Sequence, residues 1–171
     1  MEELKVSEFD RFFEIMENSF PKDERRPYGE QRALLRNPDH RVFVSKEGGR
    51  IVSFLATWRF GEVFFLEHFA TDPALRGGGI GGRLLDEWIA ECRGTVLLEA
   101  EPPTDEVTRR RIAFYERHGF VLNPYPYVQP PISEGRSPVP LMIMTHGRAV
   151  SEAEYAAMRD LLYHRVYRCI P

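Results

Sequence analysis

The sequence predicts an α/β domain, and three observations carry that class. Alternating apolar stretches separated by tight turns read as antiparallel strands: Arg41 to Lys46, then Glu47-Gly48-Gly49-Arg50, then Ile51 to Arg59, then Phe60-Gly61-Glu62, then Val63 to Thr71. A nearly unbroken run of glycines from Gly77 to Gly82 follows the last of these strands and opens a helix whose apolar face is Ile80, Leu84, Leu85, Trp88 and Ile89. Helical spacing also appears before the strands and twice after them. Composition sets the scale: 171 residues, 43% hydrophobic and 29% charged, make one globular domain (1–171) with room for a real core.

In chain order, a short strand is expected around Leu4 to Val6. Ser7 then starts a helix whose buried stripe is Phe9, Phe12, Phe13 and Met16, and which ends near Phe20-Pro21. Lys22 to Pro27 is a charged loop, and a second helix runs from about Tyr28 to Arg36, stopped by Asn37-Pro38. The three strands above follow, then the glycine loop and its helix. Thr95 to Glu101 is a strand closed by Pro102-Pro103; Thr104 or Asp105 caps the next helix, which stops at Gly119. Phe120 to Val128 and Val139 to Thr145 are strands separated by the proline-broken loop Gln129 to Pro138. The final helix, 151–168, opens with the capping box Ser151-Glu152-Ala153-Glu154 and carries the stripe Tyr155, Met158, Leu161, Leu162 and Val166.

The glycine loop is the first candidate site. Without side chains the backbone can approach a ligand closely, and the unpaired N–H groups of the helix start point outward with the positive end of its dipole. A diphosphate is the anion that fits, and a side chain at Gly79 or Gly81 is expected to fill its space. Two other phosphate motifs fail. The Walker pattern requires Lys and then Ser or Thr after the last glycine, where this chain has Arg83-Leu84; Gly77, Gly79 and Gly82 match G-x-G-x-x-G, but no run of βαβ units surrounds them.

Arg76-Gly77-Gly78-Gly79-Ile80-Gly81 resembles the Gln/Arg-x-x-Gly-x-Gly/Ala acyl-CoA signature of the GNAT superfamily of acetyl-CoA-dependent N-acetyltransferases. Ala113-Phe114-Tyr115-Glu116-Arg117-His118-Gly119-Phe120 is similar to that family's second hallmark, Phe-Tyr-Glu-x-x-Gly-Phe. The resemblance runs from about Leu4 to Val128. It implies a mixed, mostly antiparallel sheet of six to seven strands flanked by helices, with the C-terminal helix an addition. It further implies acetyl-CoA as cosubstrate, bound by Arg76, Gly77, Gly78, Gly79, Ile80, Gly81 and Gly82, with Phe69, Ala70 and Thr71 of the central strand offering backbone groups to the pantetheine arm. Thr108 stands where the family often has an asparagine that contacts the cofactor, and Arg111 is the member of the Arg109-Arg110-Arg111 run assigned to phosphate.

Acetyl transfer to an amine needs a neutral nitrogen, whereas an alkylamine of pKa about 10 is protonated near neutrality. Glu67, a carboxylate inside an apolar strand where its pKa should rise, is the candidate base; the competing reading is a salt bridge, with Arg59 as partner. Strand parity places His68 on the opposite face, as a hydrogen-bonded core residue. Tyr115 is the candidate acid for the departing thiolate, or else packs on the sheet. Glu99, Glu101, Tyr125 and Tyr127 are candidates for the acceptor end, and the acceptor is a small-molecule or peptide amine. A silent acyl-CoA-binding sensor or interaction module is the alternative function.

The net charge of -3 gives no reason to expect a nucleic-acid partner, and no apolar run is long enough to span a membrane. The start, Met1-Glu2-Glu3, lacks the features of a secretory signal, so the cytoplasm is the expected location. Cys92 and Cys169 have no partner spacing suited to zinc, no metal is expected, and Cys92 is read as a packing residue. A homodimer through the last helix is left open.

Overall fold

The computed structural model describes residues 1–75 and 77–168, so Arg76 and Cys169 lie outside the described residues. The chain resolves into two compact units, 1–96 and 97–171. With eight strands and five α-helices among the described residues, the α/β class expected from sequence is observed.

In the first unit, β1 (Glu2–Glu3), β2 (His40–Glu47), β3 (Arg50–Phe60) and β4 (Val63–Thr71) form consecutive antiparallel pairs. The first strand lies two residues earlier than predicted because Val6 already begins a 3-10 turn; Leu4 still donates its N–H to Val42 at 2.8 Å. Helix α1 (Phe9–Ser19) buries Phe9, Phe12, Phe13, Ile15 and Met16 against Val42, Val44, Ile51, Phe54, Ala56 and Ala70. Phe12 and Phe54 meet edge to face at 4.7 Å, a contact that adds orientation to area burial. Helix α2 (Tyr28–Ala33) is shorter than expected, its last turn tightening to 3-10 over Leu34–Arg36. Helix α3 (Ile80–Glu91) buries Ile80, Leu84, Leu85 and Trp88, as its periodicity predicts, while Ile89, expected on the same face, is half-buried.

In the second unit, β8 (Val139–His146) is the centre, pairing antiparallel with β5 (Thr95–Ala100), β6 (Phe120–Leu122) and β7 (Tyr127–Gln129). The single strand predicted for 120–128 is thus two. Pro124 and Pro126 lack ladder donors, and Asn123, fully buried, takes over the pairing with its side chain, donating to the Ile143 carbonyl (3.1 Å) and Thr145 Oγ1 (3.0 Å) and accepting from the Val150 N–H (3.0 Å). Helix α4 (Glu106–Arg117) is capped by Asp105 and α5 (Glu152–Arg165) by Ser151, each through a reciprocal capping box. No helix is long and apolar enough to cross a membrane among the described residues.

Candidate active site

The glycine loop is held at its entrance by Asp72. Its carboxylate accepts from the Ala74 N–H at 3.0 Å and from the Arg11 guanidinium, while Arg11 Nε donates to the Ile51 carbonyl at 3.2 Å. The turn is therefore tied to both α1 and β3. Beyond it, Gly77, Gly78 and Gly79 are exposed, and Gly77 (φ +91°) and Gly79 (φ +72°) occupy the left-handed region that side chains disfavour. Gly79 is the N-cap of α3, no side chain caps it, and the first turn contains no acidic residue. The first intrahelical bond runs from the Arg83 N–H to the Gly79 carbonyl at 3.1 Å, so the N–H groups at the start of the helix are left for a ligand. Open backbone, helix dipole and a first turn without an acidic residue together fit a diphosphate.

Gly81 does something different from what the sequence implied. A side-chain carbon there would lie 2.6 Å from Thr71 Oγ1 and 2.9 Å from the Phe69 ring. The side-chain direction of Gly81 thus faces β4, letting the helix seat closely on the strand, so a side chain there would fill this packing contact and not the phosphate space. Phe69 and Thr71 are half-buried beneath it, and Ala70 lies on the α1 side of the sheet. Gly94 has a similar role: a side chain there would fall on the Glu62 carbonyl, which accepts the Thr95 N–H at 2.8 Å.

Strand β4 contains an irregularity that period-2 reading cannot reveal. His68 stands opposite Ala56 and Leu66 opposite Thr57, so Glu67 is an extra, bulged residue with no partner on β3. The bulge cancels one alternation and brings Glu67 and His68 together: Glu67 Oε2 is 3.7 Å from His68 Nδ1, against the expectation that parity separates them. His68 donates from Nε2 to the Glu24 carbonyl at 2.7 Å, which leaves the lone pair on Nδ1.

Glu67 is an ion-pair partner, and Arg59 is not the cation. Its side chain is 1% exposed, with Oε1 accepting from Arg26 Nη1 at 2.8 Å and Oε2 from the Trp58 indole at 2.9 Å. Arg26 comes from the segment between α1 and α2 and lies over the Trp58 ring at 5.8 Å, whereas Arg59 turns to Phe64 and the Gly61 carbonyl. Burial alone pushes the Glu67 carboxyl up, but the Arg26 charge, helped by the indole bond, outweighs it and holds the pKa down at about 2. The expectation of a raised pKa therefore fails, because a guanidinium 41 positions away in the chain leaves no local trace around Glu67. His40, whose ring meets Trp58 at 4.9 Å, is buried with both nitrogens unpartnered, and burial pushes its pKa down to about 4.

In the second unit, Tyr115 is buried, its ring 5.4 Å from Phe114 and 5.8 Å from Phe120, and burial pushes its phenol up to about 12. Thr108 is also buried, and its hydroxyl serves the α4 cap, accepting from the Asp105 N–H at 3.0 Å. Arg111 is exposed and paired with Glu101. Glu99 accepts from Tyr127 and, at 2.6 Å, from Tyr167, while Tyr125 donates to the Val150 carbonyl at 3.1 Å. Cys92 donates to the Trp88 carbonyl at 3.3 Å, and burial pushes its thiol up to about 12, in keeping with a packing residue. No group of three His, Cys, Asp or Glu side chains is arranged to hold a metal among the described residues.

The bulged strand β4 runs into an uncapped glycine loop and the start of α3, a strand, loop and helix arrangement of an α/β protein with open backbone at the helix start. The sequence profile described as the acetyltransferase (GNAT) domain matches residues 38–122. A solved structure from Bacteroides thetaiotaomicron, assigned to the GNAT family of acetyltransferases, is 34% identical with a TM-score of 0.88, over 99% of this chain and 98% of that one. The chain belongs to the GNAT acetyltransferase family. At lower identity, the ribosomal-protein-S18-alanine N-acetyltransferase of Escherichia coli (22%, TM-score 0.64, 87% of this chain and 93% of that one) shares the fold. So does an aminoglycoside 6'-N-acetyltransferase solved with coenzyme A (20%, TM-score 0.55, 80% and 88%). No curated protein sequence matches the chain.

Proposed function

We propose that this protein transfers an acetyl group from acetyl-CoA to a primary amine by direct attack. The observation that carries the reading is the acid-free start of α3 behind Gly77–Gly79, whose open backbone fits the diphosphate of coenzyme A. Gly77, Gly78, Gly79, Ile80 and Gly82 would hold it by main-chain N–H groups, with Arg76 added on the family motif alone. Bound acetyl-CoA supplies an already activated thioester, so no acyl-enzyme is required.

The remaining work falls to this chain's own groups. Backbone groups of β4 near Phe69, Ala70 and Thr71 pair with the pantetheine arm, and a β4 N–H donates to the thioester carbonyl oxygen. Tyr115 enters through the Phe-Tyr-Glu-x-x-Gly-Phe motif as proton donor to the thiolate; a phenol kept neutral by burial suits a donor better than a base. A carboxylate held at about 2 takes up little proton near neutrality, so we assign Glu67 a positioning role: it anchors Arg26, and with it the segment between α1 and α2, while the amine attacks in its neutral form and the proton it then loses passes to solvent water as the thiolate takes one from Tyr115. Thr108 and Arg111 are weaker contacts than their motif positions imply, the first spent on a helix cap and the second neutralised by Glu101.

That same Glu67 ion pair favours one other reading, a silent acyl-CoA-binding module without a proton acceptor. Thiol release from acetyl-CoA in the presence of amino acids, peptides, polyamines and aminoglycosides separates the two. Acceptor-dependent release establishes the transferase, and binding of coenzyme A without release for any amine establishes the module.

A further inference from the structure

The first turn of α3 carries a cation that the family signature does not include. Arg83 is exposed, and its Nη1 donates to the Gly78 carbonyl at 3.2 Å; a side-chain carbon at Gly79 would lie 3.3 Å from the same nitrogen. The guanidinium is thus folded back over the glycine loop. Arg11, Arg26, Arg110 and Arg111 are each paired with a carboxylate, whereas among the described residues Arg83 has only that carbonyl. Its position is also electrostatically adverse. A cation in the first turn opposes the positive end of the helix dipole, and no acidic residue in that turn offsets it. Local rules are broken most often at functional sites. Here the dipole, the unpaired N–H groups and a guanidinium with no carboxylate partner among the described residues all raise the positive potential over one small patch.

We propose that Arg83 is a phosphate-gripping residue that leaves the Gly78 carbonyl and donates to the diphosphate of coenzyme A. The proposal rests on the glycine loop being the cofactor seat. It names the diphosphate and not the 3'-phosphate because the carbonyl Arg83 now holds belongs to Gly78, between the two left-handed glycines of the cradle.

Calorimetric titration of the full chain with coenzyme A and with 3'-dephospho-coenzyme A tests it on wild type, Arg83→Gln and Arg83→Lys, at low and high ionic strength, with a thermal melt of each variant. Arg83→Gln should weaken both ligands by the same factor, about tenfold as expected for one charge-assisted hydrogen bond, and should flatten the salt dependence. Arg83→Lys should recover part of the affinity, because an ammonium keeps the charge and loses the fork. The melting temperature should stay at the wild-type value. Wild-type affinity in Arg83→Gln overturns the proposal while leaving the cradle intact. A loss seen with coenzyme A but not with its dephospho form moves Arg83 to the 3'-phosphate and overturns the assignment made here. A loss accompanied by a lower melting temperature makes Arg83 a structural staple of the loop. Failure of the wild-type protein to bind either ligand overturns the cofactor seat itself, and this proposal with it.

Discussion

Replacing Glu67 by glutamine tests the reinterpretation of that residue most directly. The amide keeps the shape and can still accept from the Trp58 indole, but it removes the charge that faces Arg26, whose side chain is only 6% exposed. An uncompensated buried guanidinium costs about 3–5 kcal/mol. At about 2–4 °C per kcal/mol for a chain of this size, the melting temperature should fall by about 6–20 °C. The double variant Arg26→Met with Glu67→Gln should recover most of the loss, since removing both charges leaves no ion without its partner. The acid limb of stability gives an independent sign. The folded carboxyl, at about 2, lies below its ordinary 4.5, so its contribution is complete above 4.5 and is lost as pH falls toward 2. Glu67→Gln should lack that limb. Thermal and urea denaturation of the wild type and the two variants at several pH values are the assays, with acetyl-transfer rates alongside. A Glu67→Gln protein that melts with wild type would refute the ion-pair account, and a rate loss confined to pH values below the pKa of the amine would restore Glu67 as the base.

Three further outcomes follow from the same structure. His40→Phe keeps the ring contact with Trp58 and deletes two unpartnered nitrogens, so it should be neutral or stabilising at pH 5 by urea denaturation. Because folding lowers the His40 pKa from 6.5 to about 4, its stability contribution is complete above 6.5 and lost as pH falls toward 4; the variant should lose that slope, and clear destabilisation at pH 7 would show that the nitrogens are satisfied. Gly81→Ala should cost about 1–3 kcal/mol of stability through the clash with Thr71 and Phe69, whereas Gly79→Ala should chiefly lower coenzyme A affinity, with a smaller strain of about 1 kcal/mol; calorimetry paired with melting curves would show the reverse if both glycines lined the ligand. Tyr115→Phe should lower kcat more than it weakens cofactor binding, and full turnover in that variant would remove its role as acid.

The residues that announced themselves in the sequence did so through local chemistry. The Phe9, Phe12, Phe13 and Met16 stripe, the Ser151 capping box and the left-handed glycines are decided within a few positions of the chain, by helical period, side-chain capping and the absence of a Cβ. Family membership was legible for the same reason, since both motifs are contiguous. The strand predicted for 120–128 failed where Asn123 and two prolines interrupt the ladder, although Pro124 and Pro126 were a signal present in the sequence.

By itself, then, the sequence determined that antiparallel strands lead into a glycine loop and helix start suited to an anion, because those features depend on neighbours in the chain. Only the tertiary structure decided that Glu67 sits in a bulge beside His68, that Arg26 and not Arg59 neutralises it, and that Gly81 serves packing while Gly79 stays open. Each of those outcomes turns on which distant groups share a low-dielectric space, and a carboxylate there binds or loses its proton according to a partner that no local pattern specifies.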